Sequence, residues 1–393
     1  MGLRVLCVTP WFPNSPTDGK YNFILHSIRS LVEAGHDVSV LVTRPWIPAP
    51  LGAIASEWRH NRQSFSRSAF KGINVELIHH LSLPRYFLSQ QVELLYRSRV
   101  GARVLDLVRR TGAQIVHAHT ERTAFAVSAA AKSAGVPVVT TLHGISTAPR
   151  LLNTSAKRER LRQTLAGVAR VVLVGEPLRA HYAPLAGGDR NFRVVPNGFF
   201  VYDTQPSAFA TSGVTRFISV SNLDEGKGID LNLRAFAQLP RNVNWTYTIV
   251  GDGDDRVSLQ LLAADLDLSD RVKFTGALAH DVAMQQLAQA DVFALPSYRE
   301  AFGVAYLEAM ACGLLAIGVA GQGPSAFVSH GETGLLVQPR DVASLVAAMK
   351  IATDKPSEAQ GIAAAGSRHV RAEFTWARHA EKLGAVFGEA LQS

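Results

Sequence analysis

Short runs rich in Val, Ile and Leu alternate along the whole chain with segments whose apolar positions recur at helical spacing. That alternation predicts repeated βα units around parallel sheets. In the first half the strand candidates are 3–9, 37–43, 73–78, 114–119, 136–142 and 170–174. In the second they are 215–221, 245–251, 271–276, 291–296 and 314–320. These eleven runs exceed the eight strands of a single barrel, and "PNGFFVYDTQPSAFATSGV" (196–214) has the composition of a linker. The fold class expected is therefore α/β, with two doubly wound parallel-sheet domains, 1–200 and 201–374, facing a central cleft. In open parallel sheets ligands bind beyond the carboxyl ends of the strands, so function is expected where those loops meet.

Composition supports this picture. A chain of 393 residues exceeds what one core usually supports, and 47% hydrophobic with 18% charged residues excludes a disordered or fibrous class. The two cysteines, Cys7 and Cys312, sit in apolar runs with no C-x-x-C spacing, so buried thiols in a reducing compartment are expected, not zinc or redox chemistry. The N-terminal apolar run is too short for a signal peptide and no run is long enough to span a bilayer, which predicts a cytoplasmic protein. Charge is divided: residues 1–200 carry 25 basic and 11 acidic side chains, net +14, against 15 and 21, net −6, for residues 201–393. The two halves are expected to face different partners.

Residues 44–110 are less regular, and within them "LSLPRYFLSQQVELLYRSRVGARVLDLVRR" mixes aromatics, leucines and arginines. It reads either as a surface helix with a solvated basic face or as a face for a membrane or acceptor. In the second case Arg97, Arg99, Arg103, Arg109 and Arg110, with Lys157, Arg158, Arg160 and Arg162, would attract anionic lipid. Tyr86, Phe87, Leu88, Leu94, Leu95 and Tyr96 would insert shallowly.

Four stretches could carry chemistry. "SYREAFGVAYLEAMACG" places Glu300 in a loop and Glu308 inside a helix closed by Gly313. In one continuous helix eight residues turn roughly 800°, about 80° from alignment, so the two carboxylates address one ligand only if Glu300 precedes the helix. Glu308, among Leu307, Ala309, Met310 and Ala311, needs a partner: ligand hydroxyls or a neighbouring loop would serve. "VSNLDEGKGID" sets Lys227 between glycines on a strand-to-helix loop, suited to a phosphate at a helix N-terminus or to plain solvation, and it lacks nucleoside-triphosphate P-loop spacing. The first βα loop holds Gly19, where a backbone must let a polar ligand approach. "TTLHGIS" ends a strand at His143, read either as a core histidine or as a ligand contact.

In order and spacing, "AGHDVSVL", "VHAHT", "TTLHG", "RVVPNG", "DEGKG", "VGDGDDR", "RVKFTG", "ALPSYREAFGVAYLEAMACG" and "GETGLLVQPRD" resemble glycosyltransferase family 4, retaining enzymes of the GT-B fold. The likeness covers nearly the whole chain. It implies two Rossmann-like domains, an acceptor held mainly by the first and a nucleotide sugar mainly by the second. By the resemblance Glu308 binds the ribose hydroxyls, Glu300 lies beside the donor sugar, Phe302 and Gly303 present backbone N–H groups to it, and Lys227 neutralises the diphosphate. Gly19 and Asn222 fall at further donor-binding positions, His143 contacts the sugar from across the cleft, and His119 and Glu121 fall on the acceptor side. The last helix, 375–393, is expected to complete the first domain.

The chain departs from its relatives at Asn222, where Arg is common, at Ser325 and Ala326, where an acid is frequent, and at Lys20, where a second glycine is frequent. The function expected is transfer of a hexose-type sugar from a nucleoside-diphosphate sugar to an acceptor hydroxyl with retention, in bacterial surface polysaccharide or glycolipid synthesis. No Asp-x-Asp stands in a metal-binding context, "DLD" (265–267) being placed in an amphipathic helix, so no metal or other cofactor is expected and cations with helix N-termini would stabilise the leaving diphosphate. The partners expected are the nucleotide-sugar donor, a glycan, glycolipid or small-molecule acceptor and an anionic membrane surface on the inner face of the plasma membrane, with no nucleic acid. The alternatives are a nucleotide-sugar epimerase and a catalytically silent sugar-nucleotide-binding protein.

Overall fold

The structure, a computed structural model, describes residues 2–15, 21–46, 70, 72–82, 89–144, 154–199 and 213–393, with the backbone alone at 89 and 90. The loop around Gly19 and Lys20, residues 86–88 and most of the linker lie outside the described residues. Contacts divide the chain into two units: Met1–Pro196 with Trp376–Ser393, and Asn197–Thr375.

In unit 1 the strands are β1 (Arg4–Thr9), β2 (Asp37–Trp46), β3 (Asn74–Leu81), β4 (Ile115–His119), β5 (Val138–Leu142), β6 (Arg170–Leu173) and β7 (Phe192–Val194). They form one parallel sheet in the order β3-β2-β1-β4-β5-β6-β7. Unit 2 holds β8 (Thr215–Val220), β9 (Trp245–Val250), β10 (Val272–Gly276), β11 (Val292–Ala294), β12 (Leu315–Val319) and β13 (Leu335–Val337), parallel in the order β10-β9-β8-β11-β12-β13. Both sheets reverse direction of growth beside their first strand, the doubly wound Rossmann-like order. All eleven predicted strands form. The two added ones, β7 and β13, are three-residue edge strands, too short to show a period.

Interior strands are buried on both faces, as in β4, β5 and β12, because helices cover each side of a parallel sheet. The helix Asn22–Glu33 presents Ile24, Leu25, Ile28 and Leu31 to the core, and the final helix Trp376–Leu391 adds Leu383, Val386, Phe387 and Ala390 to the same cluster. Each such side chain contributes about 1.5–3 kcal/mol on burial, which ties the last helix to unit 1.

Two local expectations change. β2 and β3 each run three residues beyond their predicted ends, because their pairing continues to Trp46 beside Leu81, and Arg44, 4% exposed, donates from Nη2 to the Phe12 carbonyl at 2.6 Å. The "DLD" run is not inside a helix: Arg256–Asp265 ends there, Leu266 caps it and Asp267 takes a left-handed φ of 56°. Only Leu268 reaches the core.

Candidate active site

In unit 2 the switch point lies between β8 and β11, and the loops that follow these two strands are seated on each other. Gly226 and Gly228 have φ of 105° and 71°, and a Cβ on Gly228 would lie 2.4 Å from the Pro296 carbonyl oxygen. Glycine is therefore required for the approach. The Tyr298 N–H and the Ser297 hydroxyl both donate to the Gly226 carbonyl, at 2.9 and 3.1 Å. This seating brings Lys227 Nζ to 2.9 Å from Glu300 Oε2, with the two side chains 25% and 15% exposed.

Glu300 is pinned from its other side. Its N–H donates to Gln322 Oε1 at 3.2 Å, and its carbonyl accepts from the Gly323 N–H at 2.8 Å. A Cβ on Gly323 would stand 2.3 Å from the Phe302 carbonyl oxygen. Gln322 and Gly323 were not singled out in the sequence. The signal available was "GQGPS", a glycine pair in the loop that follows β12, the strand adjacent to β11.

The helix Val304–Ala311 starts at Gly303, whose φ is 93°, and carries no side-chain cap, so its first N–H groups are available to an anion. Phe302 is 3% exposed, leaving only its backbone for a ligand. The Tyr306 hydroxyl donates to the Leu295 carbonyl, fixing the helix start against β11. Gly313, φ 84°, follows the helix end as expected.

Glu308 lies inside this helix, as predicted, and its partner is His280, the first residue of the helix His280–Ala288, with Nε2 at 2.8 Å from Oε1. The Glu308 side chain is 14% exposed and that of His280 47%. The hydrogen bond to Glu308 raises the His280 pKa; burial opposes this, and the charges of Glu308 and Asp281 add to it. Sequence reading missed His280 because the pair joins two helices that no local pattern brings together. Asn222 is exposed, and Ser221 Oγ beside it is buried with no partner among the described residues.

In unit 1 the histidines of β4 and β5 gather. His143 follows β5, and its Nε2 is 2.8 Å from His119 Nδ1, the two rings stacked with centroids 5.1 Å apart. His117 Nε2 meets Thr141 Oγ1 at 2.7 Å, while His379 spans Ser27 Oγ and the Pro196 carbonyl, both at 2.7 Å. Burial, then the nearby His117 and His379, takes the His143 pKa down to about 3; burial likewise holds His119 well below the usual range and takes His117 to about 3 and His379 to about 4. The four rings are neutral at physiological pH. His119, 1% exposed, faces His143 and not solvent. Glu121 opens the helix Glu121–Ser133, partly exposed, next to Thr120, whose φ of 88° is unusual for a residue with a side chain. Cys7, His117 and His119 form the one group of three among the described residues with metal-ligand separations, all within 4.8 Å, and burial raises the Cys7 pKa.

Two parallel sheets of Rossmann-like order, the second with an ion pair and an uncapped helix start at its switch point, define the GT-B class of glycosyltransferases. The comparisons name the family. The model for glycosyl transferases group 1 matches residues 204–369, and that for glycosyltransferase family 4 matches residues 18–200. A GDP-mannose-dependent monoacylated alpha-(1-6)-phosphatidylinositol monomannoside mannosyltransferase of Corynebacterium glutamicum is 30% identical over 64% of this chain and 70% of its own. Glycogen synthase of Mycobacterium tuberculosis is 26% identical over 98% and 94%. Among solved structures, sucrose-phosphate synthase from Thermosynechococcus elongatus superposes with a TM-score of 0.75 at 20% identity over 98% of both chains. HepE of Anabaena in complex with UDP gives 0.74 at 21% over 98% of this chain and 100% of that one. The chain belongs to glycosyltransferase family 4 and is a nucleotide-sugar glycosyltransferase.

Proposed function

We propose that the enzyme transfers a hexose-type sugar from a nucleoside-diphosphate sugar to an acceptor hydroxyl with retention of configuration, in the synthesis of a surface polysaccharide or glycolipid. The observation that carries this reading is the pairing of Lys227 with Glu300 at the switch point, just before the helix that carries Glu308. Glu308 keeps acceptor capacity beyond its bond to His280 and takes the ribose hydroxyls. Lys227 and the start of the helix take the diphosphate, and the backbone N–H groups of Phe302 and Gly303 take the donor sugar. Glu300, relieved of Lys227 when phosphate arrives, faces the donor sugar. The leaving diphosphate is stabilised by these fixed charges and dipoles with no metal ion. In unit 1, His143 Nδ1 is a buried polar atom with no partner among the described residues, available to a ligand hydroxyl, and His119 holds its ring.

An anionic membrane surface belongs to the same reading, with fewer groups than the sequence suggested. Arg103 and Arg110 are bonded to Glu76 and Asp106, Arg162 is bonded to Glu159, and Tyr96 is only 2% exposed. Leu94 and Leu95 remain exposed, and no helix among the described residues is long and apolar enough to cross a membrane.

The test is thermal stabilisation by UDP, GDP and ADP, followed by turnover of the corresponding sugar donors with and without EDTA. The expected result is a new glycoside of retained anomeric configuration, formed equally in EDTA. A changed nucleotide sugar with no glycoside would indicate an epimerase, and binding with no product a silent binder. Restoration by magnesium after EDTA inactivation would overturn the metal-free reading.

A further inference from the structure

At the outer edge of the unit 1 sheet, the extended ends of β2 and β3 place Trp46 beside Leu81, at the carboxyl end where ligands of parallel sheets bind. The helix Ser89–Thr111 packs on these strands and leaves a groove of about 740 Å³, within the roughly 300–1,000 Å³ of small-molecule sites. Its walls are unusual for a surface. Trp46 is 53% exposed and Leu95 57%, a wet apolar pair on facing elements.

His80 lines the same groove and is 4% exposed, yet both of its ring nitrogens are buried without a partner among the described residues. Its ring rests on Tyr96 with centroids 4.5 Å apart. Burial, then the charges of Arg122, His79 and Arg99, brings its pKa down to about 3, so the ring is neutral with one donor and one acceptor nitrogen. Buried polar groups are nearly always satisfied, so such an orphan calls for a partner from outside the fold. Of the two arginines acting on it, Arg122 is committed to Glu93 at 3.1 Å and to the face of Tyr96. Arg99, exposed on the groove wall beside Ser98, makes no ion pair among the described residues.

We propose that this groove binds an anionic amphiphile, its apolar chain lying along Trp46, Leu81 and Leu95 and its anionic head on Arg99, with His80 and Ser98 supplying hydrogen bonds. A purely apolar occupant would leave His80 and Arg99 unanswered, and a bare anion would leave the tryptophan and leucine wet. Resting on the transferase reading, the inference names the acceptor class as a lipid-like molecule with an acidic head.

The test uses decyl phosphate below its micellar concentration, with inorganic phosphate and decyltrimethylammonium as comparisons, read by calorimetry and tryptophan emission on the whole chain. Decyl phosphate is expected to bind saturably with a blue shift that Trp46→Phe removes. Arg99→Ala should weaken it about tenfold, the scale of one charge-assisted hydrogen bond, and inorganic phosphate should give no blue shift. Leu95→Ser, an exposed change that leaves the core intact, should weaken it too. Equal binding of the cationic amphiphile, or an Arg99→Ala protein that binds decyl phosphate as wild type does, overturns the proposal. Stabilisation by nucleoside diphosphate is measured in parallel: if nucleotides bind and decyl phosphate does not, the groove inference alone fails. If decyl phosphate binds and no nucleotide does, the transferase reading fails and the groove stands.

Discussion

Around His143 in unit 1, four imidazoles are held neutral by burial and by one another; in unit 2 the polar side chains stand in pairs of complementary sign, Lys227 with Glu300 and His280, its pKa raised, with Glu308. The strand order of the two sheets is the same apart from the extra edge strand β7 in the first. What differs is how deeply the polar groups are buried. His117 and His119 are inside β4, where water cannot support a charge, while Lys227, Glu300 and His280 are on or next to loops, where it can. One framework thus offers hydrogen bonds without charge in one unit and fixed charge in the other.

The sharpest way to break that contrast is acid. Each depressed histidine binds a proton less readily folded than unfolded, so unit 1 keeps its full stability above the ordinary histidine pKa of about 6.5 and loses it as pH falls towards the folded values. Those values are about 3 for His117 and His143 and about 4 for His379. Unit 1 is expected to exchange its core amides fast by pH 4.5 while unit 2 stays protected, as read by hydrogen exchange at pH 7 and 4.5. Simultaneous loss in both units would erase the distinction.

Next in size is Glu300→Gln, expected to cut turnover about 100-fold or more, the scale of removing one electrostatic contact to the reacting centre, while diphosphate affinity stays near wild type. If affinity falls as far as turnover, Glu300 serves only to hold Lys227. Lys227→Ala should lower nucleoside-diphosphate affinity about tenfold and spare the free nucleoside, whereas Glu308→Gln should weaken both to a similar extent, each losing a charge-assisted bond worth about 1.5–3 kcal/mol. Calorimetry with UDP and uridine, or with the base the screen selects, separates the two. The smallest effect belongs to His280. Its raised pKa means the bond to Glu308 contributes fully below about pH 6.5 and fades as pH rises through the folded value. Half-exposed as it is, the pair should give under about 1 kcal/mol. The difference in melting temperature between wild type and His280→Ala should shrink between pH 6 and pH 9, and a constant difference would mean that His280 acts by packing.

Much of the fold was legible because buried parallel strands announce themselves as apolar runs; β7 and β13 escaped because three residues show no period. The placement of Glu300 before its helix and Glu308 within it was also legible, from Gly303 and Gly313 at the two ends. What could not be read was adjacency. Lys227 and Glu300 meet because β8 and β11 are neighbours, a property of strand order and not of any local pattern. The same holds for Gln322 on Glu300, for His280 on Glu308, and for His119 on His143 across β4 and β5. The burial of His119 was hidden too, since a polar residue in an apolar strand reads equally as a site or as core.

Unit 2 is inserted into unit 1, entered after Pro196 and left at Thr375, with the two passages joined where the Phe199 N–H donates to the Phe374 carbonyl at 3.1 Å. Translation therefore finishes the units out of order. When the ribosome reaches Pro196, unit 1 still lacks Leu383, Val386 and Phe387 from its core and waits for them while all of unit 2 is made, on the order of ten seconds or more at usual elongation rates. Unit 2 has every one of its own strands in hand before that. The later-encoded unit 2 thus has all of its own strands before unit 1 has its last helix, and the half that begins the chain is the last to close.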